Sequence, residues 1–257
     1  MKVTVCELPG DPEPLARQWQ RLAAHTLAAG SDLVLLPEMP FSPWLAASKT
    51  VDPQQWQAAI ESHDRWIARL PELRGAIVIG TRPVLIDETP YNQGFVWTPA
   101  TGATAAHTKY YLPDETGFWE ATWYLRGEKK FKAIDIGGII CGFLICTELW
   151  FTRHAREYAH QGAHIIVCPR ATSASSTDKW IAGGRSAAVM AGAFCLSSNR
   201  RGHHMADMNF GGTGWIIEPG NGTVLARTTA SEPFITMDID PGWAEAAKGT
   251  YPRYVPD

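Results

Sequence analysis

The stretch Gly138-Ile-Ile-Cys-Gly-Phe-Leu-Ile-Cys146-Thr-Glu-Leu-Trp150 constrains this chain more than any other. Residues 139–145 form an apolar run rich in β-branched side chains, the length of one buried strand and far short of a membrane span. The run stops at Cys146. A small residue, an acid and an aromatic follow within four positions, and then a helix-like segment from Phe151 to Gln161. A thiol between a buried strand and a helix start lies where backbone N–H groups and the helix dipole favour thiolate. The same strand–nucleophile–helix geometry serves hydrolases as a nucleophile elbow. Taken alone, Cys146 would read as a packing cysteine, because free cysteine is among the most buried residue types. Two other positions in the chain change that reading.

At 257 residues the chain is long enough for one large domain, and no linker, repeat, charge block or low-complexity tract divides it, so one domain over 1–257 is expected. A net charge of −3 gives no electrostatic case for nucleic acid or an anionic membrane surface. Five cysteines, an odd number set mostly in apolar runs, point to reduced thiols and a cytoplasmic home rather than a disulfide framework. The opening Met1-Lys-Val-Thr-Val-Cys6-Glu7 meets a charge too early for a signal-peptide core. Eleven tryptophans are enough for some to line a pocket.

Lys2–Glu7 alternates like a strand. Residues Leu15, Trp19, Leu22, Ala23 and Leu27 sit at helical spacing over Pro12–Ala29, with Gly30 as the stop. Leu33–Leu36 reads as a second buried strand ending in Pro37-Glu38, and Asp52-Pro53 opens a second helix. Ala76–Gly80 reads as a strand. Gln93–Thr98 and Ala103–Thr108 read as a hairpin around Pro99-Ala-Thr-Gly102, its second arm ending at Lys109. A long aromatic loop spans Tyr110 to Tyr124. Strands are expected at Phe131–Ile136, Ile139–Ile145, His164–Cys168, Cys195–Asn199 and Phe234–Ile239. A helix capped by Asp178 is expected to run to about Phe194, and a hairpin to join Trp215–Glu218 with Thr223–Arg227. So many strands alternating with helices fit two stacked sheets with helices outside.

Glu38, Lys109 and Cys146 each fall just past the carboxyl end of a strand, where ligand sites collect in layered α/β folds. Together they are chemically complete: a nucleophile, a general base, and a fixed positive charge for a developing oxyanion.

The set resembles the carbon–nitrogen hydrolase (nitrilase) superfamily. The resemblance is carried by Leu35-Leu-Pro-Glu38-Met, His107-Thr-Lys109-Tyr-Tyr-Leu-Pro113 and Gly142-Phe-Leu-Ile-Cys146-Thr-Glu148-Leu-Trp150. It is extended by Gln161–Pro169, Ser198-Asn-Arg-Arg-Gly202 and Gly211–Gly220, so that it covers nearly the whole chain. It implies a four-layer αββα sandwich, paired through helices into a homodimer or higher homo-oligomer, and a cofactor-free amidase. In it Glu38 is the base, Cys146 the nucleophile, and Lys109 with the Thr147 N–H the oxyanion site. The spacing Lys109–Pro113–Gly117–Glu120–Tyr124 resembles that of carbamoyl-amine hydrolases, which makes Glu120 the candidate second glutamate and Glu115 the alternative. Trp44, Trp119, Trp123, Tyr124 and Trp150 are expected to wall the pocket. Arg170 and Arg200 are read first as surface or structural ion-pair residues, with binding of a substrate carboxylate as the alternative.

The chain also departs from the family pattern. Thr152-Arg153 replaces the usual Pro-Glu, and Cys6-Glu7 stands where a Gln is common in the first strand. Thr147 stands where nitrile-cleaving members carry Trp, and Leu149-Trp150 stands where carbamoyl-amino-acid hydrolases carry arginines. The expected substrate is a small amide or N-carbamoyl compound. Nitrile hydrolysis, acyl transfer to an amine and a silent binding module are the alternatives. His203-His204 with Asp207 is the one metal-like group; two adjacent residues do not easily face one ion, and no third ligand has motif spacing, so no metal is expected. There is no Walker loop, dinucleotide fingerprint or Gly-x-Ser-x-Gly.

Overall fold

The computed structural model describes residues 1–205 and 208–255. Its first strand, β1 (Lys2–Pro9), enters two sheets in turn. Val3–Val5 pair in parallel with β2 (Leu33–Leu35), and Glu7–Pro9 pair in parallel with Asn199–Arg201 of a distant strand. In the first sheet β2 continues to β3 (Ile77–Ile86), β4 (Thr89–Thr98) and β5 (Gly102–Thr108). In the second, β6 (Ile134–Asp135), β7 (Ile140–Phe143), β8 (Ile165–Arg170) and β9 (Phe194–Met205) lie side by side. β10 (Met208–Gly211) folds back on β9, and β11 (Trp215–Ile217) joins β9 to β12 (Val224–Arg227). β13 (Phe234–Asp238) returns antiparallel to β1.

Parallel neighbours need helical crossovers, and the chain supplies them. α1 (Pro12–Ala29) and α2 (Pro53–Ile67) flank β2. The short α3 (Glu120–Trp123) follows β5, while α4 (Thr152–His160) and α5 (Thr177–Ala191) flank β8. α6 (Pro241–Lys248) ends the order.

The two-residue period of the strands then sorts the layers. Val3, Val5, Leu33, Leu35 and Ile79 share a core with Cys141 and Phe143 of the other sheet. The alternate positions Cys6, Leu8, Val34, Leu36 and Val78 pack with Leu15, Trp19 and Leu22 of α1. On β7 a single step shows both faces. Gly142 lies under the Tyr158 ring of α4, where a Cβ would come within 2.7 Å of ring carbon. Phe143 points the other way, against Gly94 of β4, where a Cβ would stand 2.9 Å from its ring. Helix, sheet, sheet and helix are therefore stacked as an αββα sandwich.

Several expected boundaries shift for identifiable reasons. The strand expected at Phe131–Ile136 shrinks to β6, because Phe131 turns aside to stack on His154 at 3.5 Å between ring centres. β3 runs on to Ile86 and turns back through Asp87-Glu88, both at positive φ (48° and 61°), as a two-residue hairpin needs. Asp178 lies inside the first turn of α5 instead of capping it, and the helix stops at Gly192, φ 55°, short of Phe194. The aromatic loop contains α3, and neither β10 nor α6 was expected. Among the described residues no helix is long and apolar enough to cross a membrane.

Candidate active site

β2 delivers the first acid. Its chain continues through Leu36, whose N–H donates to Ile79 O, into Pro37 and Glu38. The Glu38 N–H donates to Arg170 O at 3.2 Å, and the Met39 N–H to Thr81 Oγ1 at 2.8 Å. Met39 sits at φ 41°, and the buried Arg200 guanidinium donates to the carbonyls of Met39 and Ser42. A side-chain-bearing residue in that region costs on the order of 1–3 kcal/mol, which these bonds over-determine. The result fixes a carboxylate that has no access to solvent.

β5 delivers the lysine. The Lys109 N–H donates to Asn92 O on β4 at 2.9 Å, and its fully buried ammonium donates to Glu38 Oε1 at 2.7 Å and Glu120 Oε2 at 2.6 Å. Asn92 Nδ2 also donates to Glu38 Oε1, at 2.8 Å, and Tyr124 OH donates to Glu120 Oε2. Glu38 Oε2 and Glu120 Oε1 have no hydrogen-bond partner among the described residues. Of the two loop glutamates, Glu120 holds the ammonium; Glu115 forms a backbone bridge with Phe118.

Cys146 opens a 3-10 turn (Cys146–Trp150) beyond β7 with φ 48°, the strained turn that lifts a nucleophile off the end of a strand. Two residues on, Glu148 is fully buried. It accepts the Ile145 N–H at 2.8 Å, the Tyr110 N–H at 2.7 Å and a contact from His107 Nε2 at 2.9 Å.

Burial raises the Cys146 thiol above its ordinary pKa. Glu38 adds to the rise, and Lys109 offsets only part of it. A five-residue 3-10 turn carries little dipole, and two carboxylates stand nearby, so the thiol needs a base at the moment of attack. Burial alone would lower Lys109, but the charges of Glu120 and Glu38 more than reverse it, so the ammonium is held above its ordinary pKa and stays charged. Glu120 is raised, by burial first, with Lys109 opposing. One ammonium serves two carboxylates, and Glu120 competes with Glu38 for it.

A cleft of ≈ 700 Å³ opens over this cluster, lined by Cys146, Thr147, Glu120, Glu115 and Trp150 among others. Glu38 and Lys109 lie behind it in the protein. Of the five aromatic residues expected on its walls only Trp150 lines it; the other four are placed elsewhere, because the aromatic loop packs its rings against the segment after β2. Trp44 donates to Gly117 O at 3.1 Å and packs on Phe118 and Phe210. Trp119 carries the Lys49 ammonium 4.2 Å above its ring, and Trp123 donates to Ser48 O. Tyr124 packs on Trp56 and holds Glu120. Arg170 is buried, donates to the Ser197 and Thr172 hydroxyls and the Thr213 carbonyl, and stacks 3.9 Å over Trp215, while Arg200 is spent on the carbonyls of Met39 and Ser42.

The second wall of the cleft is instead Thr172, Ser173, Ser175, Ser176, Lys179 and Trp180, which the sequence reading passed over. The signal was available: a serine-rich run just past the carboxyl end of β8. Asn92, His107 and Glu148 were missed as well. The other four cysteines are unbridged and fully buried, whereas Cys146 retains 3 % exposure. Among the described residues no group of three or more His, Cys, Asp or Glu could hold a metal, and Asp207 of the His203-His204 group lies outside the described residues.

A family model described as carbon-nitrogen hydrolase matches residues 2–248. Among curated proteins, a hydrolase of Pseudomonas protegens is 28 % identical over 177 residues, covering 66 % of this chain and 59 % of that protein, so the match spans less than two thirds of that relative. The N-carbamoylputrescine amidase of Arabidopsis thaliana is 24 % identical over 241 residues, covering 86 % of this chain and 79 % of that one. Among solved structures, a carbon–nitrogen hydrolase from Helicobacter pylori superposes with a TM-score of 0.87 at 19 % identity, over 98 % of this chain and 94 % of that one. An amidase from Nesterenkonia sp., described with acrylamide added to its active-site cysteine, superposes with a TM-score of 0.77 at 19 % identity, over 95 % of each chain. With its sandwich formed and the family model matched almost from end to end, this chain belongs to the carbon–nitrogen hydrolase family, the hydrolases of carbon–nitrogen bonds other than peptide bonds.

Proposed function

We propose that the chain hydrolyses a small amide or N-carbamoyl compound through a thioester on Cys146. The observation that carries this reading is the buried Glu38–Lys109–Glu120 ion cluster set behind a strained cysteine at the floor of a cleft. Glu38 takes the thiol proton on Oε2, its oxygen without a protein partner, as Sγ attacks the carbonyl carbon. The oxyanion forms against the Lys109 ammonium and the Thr147 N–H. The tetrahedral adduct collapses, the carbon–nitrogen bond breaks, and Glu38 returns its proton to the departing ammonia or amine. Glu38 then deprotonates water, which attacks the thioester and releases Cys146 as a thiol. Glu120 fixes the ammonium and turns Oε1 toward the bound substrate.

The amidase relatives support an amide or carbamoyl substrate over a nitrile, and so does Thr147 beside the nucleophile. The pairing of β1 into both sheets supports treating 1–257 as one domain. Five unbridged cysteines support a reducing, cytoplasmic home, and the family resemblance supports a homodimer. The test is a panel of short amides, N-carbamoyl amines and nitriles, scored by ammonia release. Wild type should turn over at least one amide or carbamoyl compound and Cys146→Ala none. Release confined to nitriles, or persisting in Cys146→Ala, overturns the reading.

A further inference from the structure

We infer that Glu148, with His107, is a positioning residue that clamps the two sheets together at the site and thereby sets where Lys109 stands relative to Cys146. The inference rests on the thioester reading for its meaning, but its geometry is independent of any substrate. Lys109 comes from the first sheet and Cys146 from the second. No backbone ladder joins β5 to β7, so the register between the two residues needs another device. The Glu148 carboxylate bonds the residue after Lys109, through the Tyr110 N–H at 2.7 Å, and the residue before Cys146, through the Ile145 N–H at 2.8 Å. His107, on β5, reaches both of its oxygens, at 2.9 and 3.1 Å.

The surroundings are shaped for this contact. His107 pairs with Gly94 across β4 and β5, and the Phe143 ring of β7 presses on Gly94 where a Cβ would come within 2.9 Å. The missing side chain of Gly94 lets the sheets approach where Glu148 must span them. Phe131 closes over the imidazole, 5.0 Å between ring centres, and both His107 and Glu148 are buried. An oxyanion needs the ammonium and the Thr147 N–H aimed at one point, and a misplacement of about 1 Å costs on the order of 100-fold in rate. A carboxylate suits the task because it accepts from three donors at once. A carboxamide turns its own NH2 toward one of them.

The test compares wild type, Glu148→Gln, His107→Phe and the double variant, with rates normalised to Cys146 sites titrated by iodoacetamide. Glu148→Gln should lower kcat per titrated site by roughly 10- to 100-fold with KM within about threefold. His107→Phe, which leaves both backbone bonds to Glu148 in place, should lose about 3- to 10-fold, and the two losses should be non-additive. The alkylation rate of Cys146 needs no substrate and should fall in the same order, so it reads the clamp even if every amide on the panel fails. Failure of the panel alone overturns the substrate reading and not the clamp. Per-site turnover and alkylation within twofold of wild type, with only fewer titratable sites, would make Glu148 a stabilising residue and overturn the inference. If Glu148→Gln does not fold, a wild-type per-site rate in His107→Phe overturns it equally.

Discussion

Lys109 Nζ lies 2.7 Å from Glu38 Oε1 with neither side chain exposed, and the same ammonium reaches Glu120 at 2.6 Å. One positive charge is thus shared by two buried carboxylates beside the Cys146 thiol. Buried charge survives only when paired and hydrogen-bonded, so the cluster's composition sets both its chemistry and its stability.

Removing the ammonium tests this first. Lys109→Ala should lower kcat by at least about 100-fold, the scale of one lost oxyanion donor. It also leaves two buried carboxylates facing each other. Without the counter-charge that opposes it, the folded Glu120 pKa rises further above its unfolded value, so the variant's stability should fall as pH rises, and its deficit in thermal midpoint should be larger at pH 8 than at pH 5. Near-normal turnover, or a deficit that does not change with pH, contradicts the assignment.

Glu120 carries its own pH signature. Burial raises its carboxyl from 4.5 to about 7, so between those values the folded chain holds a proton that the unfolded chain has released. Stability from this group is therefore present below about pH 4.5 and lost as pH climbs toward 7. Measured against Glu120→Gln, which cannot titrate, the wild-type thermal midpoint should slide downward across that window. A constant offset between the two would show that Glu120 titrates normally. In turnover, Glu120→Gln should still acylate but run slower.

Cys146 should be the cysteine that brief iodoacetamide treatment labels first. Its exposure is small but real, it stands at the cleft floor, and Cys6, Cys141, Cys168 and Cys195 are sealed in the core. Peptide mapping that finds Cys141 or Cys168 labelled faster would remove Cys146 from its role.

Gly94→Ala probes the seam between the sheets. The added methyl meets the Phe143 ring at 2.9 Å and His107 O at 3.3 Å, so the sheets must part or the ring must move. A loss of about 1–3 kcal/mol in unfolding free energy is expected. An unchanged denaturant midpoint would mean that the sheets are not closely apposed there.

What was legible in the chain follows from what is local. Pro12–Ala29 declared its helix through side-chain spacing and a left-handed Gly30, and Asp52-Pro53 declared the next through an N-cap that the Asp52 carboxylate fills by accepting the Gln54 N–H. Asp240-Pro241 carries that same signature before α6 and went unread. The hairpin at Asp87-Glu88 gave no such sign, since a turn with two positive φ angles usually announces itself with Asn or Gly. Glu38, Lys109 and Cys146 could be picked out because each ends a recognisable strand. The direction of the tryptophan rings could not, because the loop from Tyr110 to Tyr124 takes its shape from contacts with residues 44–56, far away in sequence. Glu148 stood in plain view two residues past Cys146, but its partners lie on the other sheet, and no spacing rule reaches across that seam.

Glu38 is the base that makes Cys146 a nucleophile in this mechanism: burial raises the thiol, and of the two carboxylates with an unpartnered oxygen Glu38 acts on the thiol more strongly than Glu120. Intact-protein mass spectrometry after mixing with a turned-over amide sees the acyl-enzyme as added mass. Glu38→Gln keeps the shape of the side chain but cannot take the thiol proton, so the adduct should fail to accumulate. Accumulation at the wild-type rate in Glu38→Gln would contradict the mechanism.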